Sequence, residues 1–373
     1  MVSSIERHFA SLPDPREASG QRHSLTDILT LAICGVICSA DSWVEIEQFG
    51  HAKENWFRTF LELPYGIPSH DTFGRVFAAL DPDAFERCFA SWMAGLAEHS
   101  QGRLVAIDGK IMRRSFAHAW NREALDMVSA FTAANRMVFG QLAVESKSNE
   151  ITAIPRLLEL LDLRGATVTI DAIGCQKAIA AQIIERRGDY VLAVKENQPQ
   201  LHQQVQALLD EAWLEDFAGM AHDRCEDTDA GHGRIETRRV VCTPEVQWLR
   251  CRDEWPGLRS VAVVESTRIV GAATSTERRY FISSLDGTNA ATLARAIRGH
   301  WAIENQLHWS LDVSFREDDS RVRTGHAAEN FSRLRRIALN LLRRDKRCKI
   351  GIKGKRLRAG WDHNYLLQLL SDT

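Results

Sequence analysis

The chain has no cysteine pair at CxxC spacing. Its eight cysteines, Cys34, Cys38, Cys88, Cys175, Cys225, Cys242, Cys251 and Cys348, are scattered. That excludes a structural zinc site of common spacing and favours a reducing compartment over a disulfide framework. Cys34 and Cys38 stand four apart in an apolar run and read as one buried helical face. The opening MVSSIERHFASLPDPRE has no apolar h-region, so no signal peptide is expected. The longest apolar segment, 28–40, is too short and too interrupted to span a bilayer. A soluble, cytoplasmic protein without membrane partners is the expectation. No GxxxxGK[ST] loop occurs, which excludes a P-loop kinase or ATPase. No GxSxG elbow occurs for a serine nucleophile. There is no internal repeat and no low-complexity stretch. An excess of charge is also missing: the net charge is -2, so the chain as a whole is no basic DNA coat.

What is present is an ordinary globular composition, 45% hydrophobic and 26% charged over 373 residues, enough for roughly two to three domains. Charge is distributed unevenly. From Arg316 to Arg358 there are fifteen Lys/Arg and five Asp/Glu. Residues 1–98 read as helical: 25–38 as a buried helix, 43–60 as one or two amphipathic helices, a turn-rich break at 63–68, a helix over 71–80 capped by Ser69 or Asp71, and another over 83–98. Strands are expected at 103–108, 127–132, 137–144, 167–171 and 189–194, the second and third joined by a turn around Ala134 and Asn135. Helices are expected at 151–161, 176–187 and 200–213. Three strands in succession point to a meander, not a simple alternating α/β pattern. Residues 214–284 read as a β-rich insertion with runs at 235–242, 260–264 and 278–282. Long helices follow at 289–311 and 327–344, and a last one near 365–370.

Two aspartates end apolar strands. Asp108 closes Ala106-Ile107, and Asp171 closes Thr169-Ile170. A helix cap or turn explains one such aspartate. Two are harder to dismiss, because the carboxyl ends of strands are where α/β sheets bind ligands. If the fourth strand returns parallel beside the first, the two become neighbours, and neighbouring carboxylates stay ionised only with a cation or proton between them. Mg²⁺ suits one or two carboxylates plus phosphates, and paired ions clamp an in-line phosphoryl displacement. A third carboxylate, Glu304, lies on the 289–311 helix with His300 and His308 at i-4 and i+4 on its face. That face lacks HExxH spacing, and a solvated helical face remains the alternative.

The stretch WxIENxLHWxLDVxFxEDxSR, from Trp301 to Arg321, together with these aspartates resembles the H-repeat-associated insertion-sequence transposases. So do Leu12-Pro13-Asp14-Pro15-Arg16, Asp41-Ser42-Trp43-Val44-Glu45-Ile46, Ile67-Pro68-Ser69-His70-Asp71-Thr72-Phe73, and Gly231-His232-Gly233-Arg234-Ile235-Glu236-Thr237-Arg238. These belong to the DDE superfamily. The resemblance implies an α/β, RNase H-like mixed sheet with flanking helices, a β-rich insertion before the catalytic helix, and a helical N-terminal domain. It implies Asp108, Asp171 and Glu304 as catalytic and metal-holding residues, with Mg²⁺ (Mn²⁺ substituting) as two ions. The implied reaction is phosphodiester hydrolysis at transposon ends, then attack of the freed 3′-hydroxyl on target DNA. Implied partners are double-stranded DNA with terminal inverted repeats, target DNA, and a second copy of the chain in the DNA complex. One departure stands out: where related enzymes carry an arginine four before the glutamate and a lysine seven after, this chain has His300 and Leu311.

Arg298, His308 and Arg316 are candidate replacements. Other expected DNA contacts are Lys110, Arg113 and Arg114 after Asp108, Lys195 and Asn197 after the fifth strand, His300, and Arg321 and Arg323 after the Glu317-Asp318-Asp319 run. That run reads as a solvated loop or cap, with a further metal site as the alternative. Arg333, Arg335 and Arg336 on the next helix are further clustered bases for phosphate, with a plain solvent-facing role as the alternative. Trp301 and Trp309 could stack on an unpaired base or sit in the core. The break at Pro68 and the helix after it suggest a weakly basic helix-turn-helix. The expected organisation is 1–98 helical, 99–213 first core part, 214–286 insertion, 287–345 second core part, and 346–373 basic tail. Competing readings are a resident nuclease or defective transposase, and a non-catalytic DNA-binding protein.

Overall fold

The computed structural model describes residues 3–96, 104–115, 124–132, 134, 136–144, 149–231 and 233–371. Glu98, Arg103, Asn135 and His232, and the expected boundary at 98/99, lie outside them. Helices are α1 (Ser3–Phe9), α2 (Leu25–Ile37), α3 (Trp43–Ala52), α4 (Glu54–Phe57), α5 (His70–Ala79), α6 (Pro82–Leu96), α7 (Glu150–Glu159), α8 (Lys177–Glu185), α9 (Pro199–Leu214), α10 (Ala290–Ala302), α11 (Trp309–Phe315), α12 (Ala327–Arg344), α13 (Ile352–Trp361) and α14 (His363–Ser371). Strands are β1 (Leu104–Met112), β2 (Leu125–Thr132), β3 (Met137–Ala143), β4 (Thr167–Ile170), β5 (Asp189–Val194), β6 (Asp223–Gly231), β7 (Arg234–Thr243), β8 (Ser260–Val270) and β9 (Ala273–Ser283). None of the described helices is long and apolar enough to cross a membrane.

The chain divides into two compact units. The first takes Met1–His99, Gly109–Lys147 and Glu304–Thr373; the second takes Ser100–Asp108 and Ser148–Ile303. In the first unit, α12 is the central helix, with α2, α5, α6 and β3 packed on it. Its apolar residues Phe331, Leu334, Ile337, Ala338 and Leu341 are buried, as a helix surrounded on all sides requires. So are Arg333, Arg335 and Arg336, which corrects the expectation that they meet phosphate or solvent. Partners inside the fold draw two of them in. Arg333 Nε donates to Glu86 Oε2 at 2.7 Å and its Nη2 to Glu329 Oε1 at 2.7 Å. Arg336 Nη1 donates to Glu317 Oε1 at 2.8 Å. Glu317, expected in a solvated loop, is therefore an interior residue. Burial alone would raise its pKa, but the guanidinium groups of Arg336 and Arg335 and the ammonium of Lys110 hold it down to about 2. Ser42 and Ser69 cap α3 and α5, accepting from Glu45 N and Thr72 N. Residues 58–69 separate α4 from α5, so the tight turn of a helix-turn-helix does not form there.

In the second unit, β1 pairs parallel with β4 and β4 with β5. Beyond β5 the order is β9, β8, β7, β6, all antiparallel. The β-rich segment is thus an extension of the same sheet. It has four strands where three runs were expected; β6, DRCEDTDAG, was missed because it is polar and mostly exposed. α10 covers the proximal half of these strands. Its Ala290, Leu293, Ala296 and Ile297 pack on Val240, Cys242, Ala262, Val264 and Phe281.

Candidate active site

Parallel pairing places the two aspartates. Ile107 stands opposite Ile170 as the last pair of the β1–β4 register; Asp108 follows within β1, and Asp171 is the first residue after β4. Each directly follows the last paired residue of its strand, so the β1–β4 pairing ends at the same level on both. Both are half-buried. β4 stops at Ile170, one residue short of the expected end at Asp171, and β1 does not stop at Asp108; it runs on to Met112. The physical reason is that the period-two alternation continues, with Lys110 and Met112 buried and Ile111 exposed.

The loop carrying Asp171 is tied down. Ile173 N donates to Asp171 Oδ1 at 3.2 Å. Asn197 Nδ2, in the loop after β5, donates to Ala172 O at 2.6 Å, and Gln198 Nε2 donates to Cys175 O at 3.0 Å. Asn197, expected to touch DNA, thus has a positioning task for its side chain. Burial, with the Asp171 charge adding to it, pushes the Cys175 thiol up to about 12, so it is no nucleophile at neutral pH.

α10 comes down on one face of the sheet. A Cβ at Gly299 would lie 2.1 Å from Leu104 Cδ2, a contact only glycine permits without displacing a strand residue. Leu104, Ala106 and Asp108 share that face by alternation. One residue on, His300 Nδ1 lies 3.2 Å from Thr169 Oγ1. Burial lowers the pKa of His300 while the nearby Asp171 charge opposes this, so the imidazole is neutral at pH 7. After the buried Ile303 the chain makes a π-helical turn, Ile303–His308, which carries Glu304 exposed near its start. In a π turn the hydrogen bonds span five residues. The expected i±4 face shared by His300, Glu304 and His308 therefore does not run through it.

Among the described residues, no three His, Cys, Asp or Glu side chains form a metal-holding group. The pair Asp108 and Asp171 nevertheless fits the hard oxygen donors that Mg²⁺ takes, one or two carboxylates completed by water and phosphate.

The other expected contact residues separate into three situations. Lys110 is buried, with its ammonium 2.8 Å from Asp312 and 2.9 Å from Asp318, so it does not present a surface charge. Arg298 pairs with Asp227 and Asp229 across β6. Arg113 and Arg114 are exposed beside Asp318 and Asp319, at 3.5 and 3.2 Å. Arg316 is exposed, in a left-handed conformation, 3.3 Å from Asp319. Lys195 and Arg321 are exposed, while Arg323 and His308 are half-buried. Leu311, at the expected lysine position, is core. Trp301 and Trp309 are both exposed, and Trp301 lies under the Arg279 guanidinium at 5.3 Å. Neither tryptophan is core. Gly299 was missed, although a glycine inside an amphipathic helix was a signal of close packing.

Two aspartates that directly follow the last paired residues of adjacent parallel strands, with a helix pressed on that sheet, are an arrangement suited to phosphate chemistry. The chain belongs to the Transposase DDE domain family: residues 99–341 match that family's model, and residues 6–93 match the model described as DDE_Tnp_1-associated. Among its relatives is a putative transposase YncI of Escherichia coli O157:H7, 42% identical over 99% of this chain and 95% of the relative. Another is the H repeat-associated putative transposase YhhI of Escherichia coli K12, 40% identical over 99% and 98%. A piggyBac transposase synaptic complex with hairpin DNA aligns at TM-score 0.40 and 9% identity, over 99% of this chain and 76% of that one, a likeness too remote to carry an argument.

Proposed function

We propose that this transposase cleaves phosphodiester bonds at the ends of a DNA element and joins the freed ends to target DNA. Asp108, Asp171 and Glu304 are its three carboxylates, and Mg²⁺ or Mn²⁺, as two ions, is its cofactor. The observation that supports the reading is the register of β1 and β4, whose last pair, Ile107 and Ile170, directly precedes Asp108 and Asp171. Bound divalent ions would supply charge neutralisation and nucleophile activation for in-line displacement. The chain's own residues hold and orient. Asn197 and the Ile173 amide keep Asp171 in place, and Gly299 lets α10 deliver the chain towards Glu304. In the first step water attacks phosphorus and the bond to the 3′ oxygen breaks, leaving a 3′-hydroxyl and a 5′-phosphate. In the second step that hydroxyl attacks a target phosphorus and displaces the target's own 3′ oxygen. Phosphates are neutralised by Arg113, Arg114, Lys195, Arg316, Arg321 and Arg323, and Trp301 or Trp309 stacks on an unpaired base. Two copies act on the paired ends.

The test uses a labelled duplex from the DNA flanking the coding sequence, incubated with full-length protein and Mg²⁺ or Mn²⁺. Metal-dependent nicking that is lost in Asp108→Asn, Asp171→Asn and Glu304→Gln is the expected result. Binding of the duplex without nicking under either ion would sink the catalytic reading.

A further inference from the structure

Lys110 lies in β1, two residues after Asp108, and is buried. Its ammonium has three hydrogens to donate and three carboxylates around it. Asp312 Oδ1 lies at 2.8 Å, Asp318 Oδ1 accepts at 2.9 Å, and Glu317 Oε2 lies at 3.7 Å. All four residues belong to the first unit. Two of the three acids have a second cation. Glu317 accepts from Arg336 at 2.8 Å, and Asp318 lies 3.5 Å from Arg113. For Asp312, Lys110 is the one cation within ion-pair distance among the described residues.

Asp312 stands on α11, which follows without a break from the π turn that carries Glu304. The segment is also held through its backbone. Arg343 Nη2 donates to Gln306 O, inside the turn, and to Ser310 Oγ at 3.1 Å; Arg356 Nη1 donates to Ser314 O. The Lys110–Asp312 pair adds the tie to β1. An apolar contact would join helix to strand at less cost, because burying an ammonium and its partners forfeits their hydration. What the ion pair adds is register: an ammonium set among three carboxylates accepts one position of α11, whereas an apolar face can slide.

We infer that Lys110 is a positioning residue for Glu304: through Asp312 it sets where α11, and hence the turn before it, lies along β1. The inference rests on the proposed catalytic role of Asp108, Asp171 and Glu304 and gives a buried lysine a part in it. The helix before the turn is seated on β1 at Leu104, by way of Gly299, and the helix after it at Lys110. These two seats lie on either side of Asp108 in the strand. Lys110 itself meets neither DNA nor metal in this role.

The test compares full-length wild type with Asp312→Asn and Lys110→Met, singly and together. Asp312→Asn leaves the ammonium with Glu317 and Asp318, so this variant folds even if Lys110→Met does not. Amide hydrogen exchange is read first, without DNA. Amides of residues 304–312 should exchange at least about tenfold faster in each single variant, while α12 keeps its protection. In nicking assays the Mn²⁺ concentration giving half the maximal rate should rise about tenfold or more, with the Kd for DNA unchanged. The double variant should be no worse than the poorer single one, because both changes act through one contact. Unchanged exchange over 304–312 would overturn the inference. So would a loss of nicking that follows the folded fraction at the same Mn²⁺ requirement, which is what a merely structural lysine predicts. If the wild type binds DNA and nicks under neither ion, the catalytic reading falls, and the exchange rates still decide whether Lys110 holds the turn.

Discussion

The two units put their charges in opposite places. Every buried charged side chain among the described residues belongs to the first unit, including Glu86, Lys110, Glu317, Arg333, Arg335, Arg336 and Arg356. In the second unit the core under α10 is apolar, and Asp108, within β1, and Asp171, just after β4, stand half-buried. Interior charges must be paired to be tolerated, and breaking one pair costs far more than the pair contributes. Charges left at an edge are cheap to keep and available for chemistry. Charge in the first unit is mainly architecture; the two aspartates proposed for catalysis lie in the second.

Neutralising charges in each unit should therefore separate activity from stability. Asp108→Asn or Asp171→Asn is expected to cut nicking by at least about a thousandfold without lowering the thermal midpoint, because removing one of two like charges relieves repulsion. A fall in the midpoint of several degrees would break the contrast. Glu317→Gln should do the reverse within the first unit, costing about 3–5 kcal/mol in urea unfolding.

The pH dependence of that loss sharpens the point. The folded-state pKa of Glu317 is depressed to about 2 from 4.5, so its stabilisation is fully present above about pH 4.5 and disappears as pH falls towards 2. The gap between wild type and Glu317→Gln should accordingly close over that window; a gap independent of pH would mean the carboxylate charge is not what stabilises. The smallest effect belongs to Gly299→Ala. Lifting α10 off Leu104 should cost about 1–3 kcal/mol, and nicking should fall by more than that stability change accounts for. Equal nicking at temperatures where the variant is folded would show that α10 seating does not matter to the site.

Much of this was legible in the residue pattern. The alternation and apolar runs locate β1, β4 and β5, the apolar spacing over 43–60 locates α3, and the cap residue Ser69 locates α5. The aspartates could be paired because parallel neighbours in register put equivalent positions side by side. What could not be read was direction. Fifteen basic residues between Arg316 and Arg358 looked like a DNA surface. Several turn inward, because their partners Glu86, Asp41 and Glu317 are distant in sequence or sit on segments that look like loops. Neither β6, with almost no apolar residues, nor the π turn, which leaves no periodic trace in one sequence, announced itself.

That turn has an evolutionary reading. A π turn is the form an α-helix takes when one residue is inserted and the helix bulges to absorb it. Ile303–His308 thus marks a point of frame in the helix that begins with α10. Deleting a single residue there would restore a regular spiral, and because the bulge absorbs the extra residue, the turns on either side would keep their phase. A one-codon deletion at this place would thus remove the bulge that carries Glu304 and leave the rest of the helix and the reading frame in place.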